Sequence, residues 1–161
     1  MLFAVAASLL VARMASATCE SSLPSNIDAG MLQSSVIALL QRSPTFQQQC
    51  RRIAAVRVLR ITLQVNTAVD AGAMAQTIIT RYEAGGIRAD VTLRFSEDYL
   101  LLLAHEFEHI LEQVEGVNLR DEAVSGRAWR TASGAWETRR AFNAGVRVRQ
   151  EADALPRHPF D

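Results

Sequence analysis

The sequence predicts an α+β domain: a small, three-stranded, mainly antiparallel sheet packed on a helix over 99–114 and on a long helix that follows it. Three observations carry this. Residues 56–65, 75–82 and 87–95 alternate apolar and polar side chains with period two, as half-buried strands do. Residues 99–114 contain no Gly or Pro and bear an apolar stripe at helical spacing. Residues 133–153 read as a final long helix, and Pro156 and Pro159 follow in a loose tail.

Residues 1–12 are apolar, and Ala15-Ser16-Ala17 is a small-residue cleavage signal followed by polar residues. This is the pattern of a secretory signal peptide over residues 1–17. Its apolar run is too short to span a membrane. The expectation is therefore an exported bacterial protein, periplasmic or extracellular, with no stable membrane insertion after cleavage and a single domain over residues 18–161. Cys19 and Cys50 both remain in that mature chain. In an oxidising compartment such a pair is expected to form a disulfide. Its loop of about 30 residues corresponds to roughly 3–4 kcal/mol in the chain-entropy picture.

Residues 28–41 show helical spacing through Met31, Val36, Ile37, Leu39 and Leu40, with Pro44 as a breaker and a second helical turn or two over 45–55. In the first strand Leu59, Ile61, Leu63 and Val65 alternate with Arg60, Thr62 and Gln64. Ala84-Gly85-Gly86 marks a hairpin turn between the other two. In the last, Ile87, Ala89, Val91, Leu93 and Phe95 share one face, so one side of the sheet is wet and the other covers a core. Ser96 is the expected N-cap of the next helix, Glu97 and Asp98 favour its positive end, and Gly116 stops it. Residues 116–132 read as loop or short helix. The 17 basic and 17 acidic residues balance, so nothing points to nucleic acid or to an anionic membrane surface. Every basic residue is Arg, which fits the base composition of a GC-rich bacterial gene better than any arginine chemistry.

The helix over 99–114 carries His105-Glu106-Phe107-Glu108-His109, which holds two of the chain's three histidines. Residues four apart lie on one helix face, so both imidazoles can bind one Zn²⁺ from the same side. Glu106 is then placed to take a proton from a water held at the metal. Glu112 and Glu115 lie further along the helix and are expected to point away from the site. A catalytic zinc keeps three protein ligands and an open position, and no histidine follows His109 except His158 in the tail. The third ligand is then a carboxylate on a later element: Asp121, Glu122, Glu137 or Glu151. Glu137 is favoured, placed early on the final helix with Ala141 and Ala144 on its face, where small residues permit close approach to the motif helix.

The His105-Glu106-x-x-His109 helix with Glu137 on a following helix resembles the zincin metallopeptidases, specifically the glutamate-zincin (gluzincin) group. The resemblance spans residues 56 to 150 and is most specific at the HExxH segment. It implies a zincin-like sheet above the motif helix, whose edge strand aligns a peptide or protein substrate. It implies His105, His109 and Glu137 as zinc ligands, Glu106 as the general base, and peptide-bond hydrolysis as the activity. An oxyanion donor is expected from Tyr82, Tyr99, Arg127 or His158, and Trp129 and Trp136 are candidates for the pocket wall. The acidic residue that the group carries four positions after the ligand glutamate is Ala141 here, which removes the usual support for a histidine. The alternative function is a secreted, non-catalytic zinc-binding or structural module of the cell envelope.

Overall fold

Leu59, Ile61, Leu63, Ala89, Val91 and Leu93 are buried, and the polar residues between them face outward. A computed structural model of the chain describes residues 22–66, 74–94, 96, 99–132 and 134–154. The expected signal peptide, Cys19 and His158 lie outside the described residues. Those residues form two small sheets and five helices. In chain order they are β1 (Ile27–Asp28), a 3-10 turn, α1 (Gln33–Arg42), α2 (Pro44–Ala55), β2 (Leu59–Val65), β3 (Ala75–Arg81) and β4 (Ile87–Leu93). Then come α3 (Tyr99–Val114), α4 (Leu119–Val124), β5 (Ala128–Arg130), β6 (Trp136–Thr138) and α5 (Arg139–Ala154). Among the described residues no helix is long and apolar enough to cross a membrane.

The α+β class holds, but the sheet differs from expectation. It has four strands, in the order β1-β2-β4-β3. The β1–β2 and β2–β4 pairings are parallel, and only β3–β4 is antiparallel. Alternation records which face of a strand is buried and is silent on the direction of its neighbour, so the sequence pattern could not distinguish the two arrangements. The turn at Gly85 does form a hairpin: Tyr82 N–H donates to Gly86 O and Gly85 N–H to Tyr82 O, each at 2.9 Å. Its outcome is to put β4 inside the sheet and β3 at the edge.

Pro44 does more than end α1. It opens α2, whose N-cap Ser43 accepts from Phe46 N–H at 3.0 Å. Phe46 of α2 then stacks on Phe107 of α3, with ring centroids 5.4 Å apart. The buried face of the sheet, α1, α2 and the apolar stripe of α3 (Leu103, Ala104, Phe107, Ile110, Leu111) form one core. Cys50 is buried within it.

The second departure lies after α3. Residues 128–130 and 136–138, the latter expected within the final helix, form a two-stranded antiparallel sheet in which Trp129 pairs with Glu137. Gly134 sits in its turn at φ +81°, a conformation that no right-handed helix contains. Helix α5 therefore starts at Arg139. Thr138 caps it, accepting from Ala141 N–H at 3.0 Å. Helix α5 packs against α3 at Ala141, which is fully buried, and at Gly145, where a Cβ would lie 3.4 Å from Leu101 O and 3.5 Å from His105 Cβ.

Candidate metal centre

Helix α3 sets His105 and His109 one turn apart, and their Nε2 atoms approach to 3.1 Å. Glu137 reaches them from β6, not from a helix. Its Oε2 lies 3.3 Å from His105 Nε2 and its Oε1 3.5 Å from His109 Nε2. The expected trio is thus brought together, but by a different element: the β5–β6 hairpin carries Glu137 over α3 immediately before α5 begins. The donor atoms of His105, His109 and Glu137 all lie within 4.8 Å of one another and could hold one metal ion. Bonds of about 2.0–2.1 Å at a tetrahedral ion set its ligand atoms roughly 3.3 Å apart. The separations found, 3.1, 3.3 and 3.5 Å, fit that geometry.

Hydrogen bonds from outside the trio hold Glu137 and His109. Glu137 Oε1 accepts from Thr138 N–H at 2.7 Å. On its far side the His109 ring places Nδ1 3.0 Å from Glu112 Oε2, and Glu112 Oε1 accepts from Thr138 Oγ1 at 2.7 Å. Burial pulls the His109 imidazole toward its neutral form. Hydrogen bonds to Glu112 and Glu137, with the charges of Glu106 and Glu112, override it and carry the pKa up to about 9. Glu137 moves the opposite way. Burial opposes its charge, but its hydrogen bonds to His105 and His109 bring it down to about 2. A carboxylate and two imidazoles thus face one another, a donor set that one cation can bridge.

Glu106 is buried and faces the sheet, where Thr77 Oγ1 of β3 donates to its Oε2 at 2.5 Å. Glu106, the two histidines and Glu137 open on a cleft of about 730 Å³, walled by Met74 and the β3 residues Ala75, Gln76, Thr77 and Ile79 on one side and by Trp136 of the hairpin on the other. Strand β3 is the sheet's edge, with no partner on its outer side among the described residues. Arg94 N–H donates to Met74 O, and Tyr82 N–H to Gly86 O. In the register of the β3–β4 pair, even-numbered residues therefore carry the ladder. The backbone N–H and C=O groups of Ala75, Thr77 and Ile79 then point outward.

The remaining candidates fall away from this cleft. Glu122 pairs with Arg127, with bonds of 2.6 and 2.9 Å, on the surface of α4. Asp121 lies on the same helix and is exposed. Glu151 accepts from Ser43 and Thr45 at the start of α2. Glu115 binds Arg52 and Arg140. None of Tyr82, Tyr99 and Arg127 is among the cleft residues; Trp136 is, with the Arg130 guanidinium 4.2 Å above its ring, whereas Trp129 is not. Sequence reasoning passed over Glu112, Thr138 and Thr77. For Glu112 a signal was present, because it stands three residues after His109, within reach on the same face. For Thr77 and Thr138 the contacts join distant elements and leave no local trace. Compared with protein-family models, curated proteins and solved structures, the chain matches none.

Proposed function

We propose that this protein is a zinc-dependent peptidase of the gluzincin type, in which His105, His109 and Glu137 hold the metal and Glu106 is the general base. The observation that carries the reading is the convergence of two imidazoles and one carboxylate at tetrahedral ligand spacing, with the HExxH glutamate buried at the same cleft. Two nitrogen donors and one carboxylate are a catalytic zinc set that leaves one position open. When bound, zinc supplies a Lewis acid that acidifies a water and polarises a carbonyl.

The chain's own groups do the rest. Glu106 accepts the proton of the attacking water and hands it to the departing amine nitrogen. Thr77 fixes that carboxylate by holding Oε2, so Oε1 serves as the proton acceptor. The outward backbone groups of Ala75, Thr77 and Ile79 receive an extended peptide as an added strand, which lays its carbonyls along the cleft floor beside Glu106. One observation favours a second reading, a non-catalytic zinc-binding module of the cell envelope: among the described residues, none of the Tyr and Arg side chains expected to stabilise an oxyanion lines the cleft.

One variant separates the two. Glu106→Gln keeps the shape of the side chain and loses the base. It should retain about one zinc per chain and lose hydrolysis by roughly 10²-fold or more, measured on a casein or peptide library with and without chelator. Full activity in Glu106→Gln overturns the peptidase mechanism. Wild type that binds zinc and cleaves nothing across that library establishes the second reading.

A further inference from the structure

We infer that Glu112, seated by Thr138, is the positioning residue of this centre, holding His109 in the tautomer whose Nε2 lone pair faces the other two donors. The inference rests on the proposal that His105, His109 and Glu137 bind zinc. Glu112 is 2% exposed, and a carboxylate so buried must find donors. It has two, Thr138 Oγ1 on Oε1 and His109 Nδ1 on Oε2.

The donor and acceptor roles follow from the inventory of each group. Thr138 Oγ1 already accepts from Ala141 N–H, and its single proton goes to Glu112. A carboxylate oxygen is an acceptor, so the His109 nitrogen 3.0 Å from Oε2 carries the hydrogen. In the neutral ring, the form that can hold a metal, the bare nitrogen is then Nε2, 3.1 Å from His105 Nε2 and 3.5 Å from Glu137 Oε1. Thr138 also donates its backbone N–H to Glu137. One residue at the start of α5 thus seats both the third ligand and the carboxylate behind the second. Ala141, where an acidic support was expected, has no side chain to offer; the support comes instead from the motif helix itself.

The test uses the whole protein with Zn²⁺ as the probe. Zinc affinity is read by competition against a chromophoric chelator, and folding by thermal melting of the metal-depleted protein. Glu112→Leu should fold and bind zinc about 10–100-fold more weakly. Glu112→Gln keeps an acceptor for His109 and should recover most of that loss. The ¹H–¹⁵N signal of the His109 Nδ1–H in the zinc-loaded protein gives a readout that a merely structural role would not move. It should lie far downfield in wild type and shift upfield in Glu112→Gln, which decides the matter should Glu112→Leu fail to fold. Equal zinc affinity in wild type and Glu112→Leu, or an unmoved His109 signal in Glu112→Gln, overturns the inference and leaves the zinc proposal standing. A wild type that binds no zinc overturns both.

Discussion

Glu108 lies between His105 and His109 in sequence yet faces away from them. It is 5% exposed and accepts from Gln49 at 2.7 Å, Arg52 at 3.0 Å and Arg140 at 2.6 Å, tying α2 and α5 to the back of α3. Burial opposes its charge, but the hydrogen bonds from Gln49, Arg140 and Arg52 hold its carboxyl below the ordinary value of 4.5. A group depressed on folding contributes stability above its unfolded pKa and loses it as pH falls through the folded one. Glu108→Gln should therefore destabilise the protein by roughly 1–3 kcal/mol at pH 7. Below about pH 4.5 the gap to wild type should narrow, as read by urea unfolding at a series of pH values. At this scale the HExxH pair was legible because its geometry is local: four residues are one turn. Glu137 is legible as a residue but not in its setting, since the pattern predicts a helix where the chain makes a hairpin. The pattern points Glu112 away from the site, yet its carboxylate turns back to the His109 ring, with Oε2 3.0 Å from Nδ1.

Between elements, the α3–α5 contact sets how near the hairpin can bring Glu137. Ala141 and Gly145 permit the approach, in place of the Ala141–Ala144 face read from the pattern. A Cβ at residue 145 would meet Leu101 O at 3.4 Å and His105 Cβ at 3.5 Å, an ordinary contact distance, so Gly145→Ala should fit. It should also gain up to about 1 kcal/mol from helix propensity. Gly145→Val adds branches with nowhere to go, and should cost about 1–3 kcal/mol by overpacking and lower the zinc affinity by displacing His105. Chemical denaturation and chelator competition on the two variants check both parts. The long helix α3 and the strands β2, β3 and β4 are recoverable from periodicity because one face of each is buried, or in β3 half-buried, over seven or more residues. Strand β1 has two residues and the β5–β6 strands three each, too few for any period to register. The hairpin's one local sign was Gly134 between Thr131 and Trp136, a turn residue inside a supposed helix.

Across the whole molecule, the sheet is lopsided. Its β1 edge is only two residues long, while the opposite edge, β3, runs for seven beside the cleft. A strand edge offers the same row of amides to any extended chain, and nothing in that row distinguishes a substrate from a sibling. The feature that would let this protein grip a peptide thus also makes each copy a template for another, so that solubility and activity pull on one strand. Residue 75 lets the two be examined together, because its N–H points outward and a proline there removes no ladder bond to β4. Ala75→Pro should melt within a few degrees of wild type, stay monomeric to higher concentration in sedimentation experiments, and bind extended peptides less well. Were the variant to associate and bind as wild type does, the two properties would have to reside elsewhere on the surface.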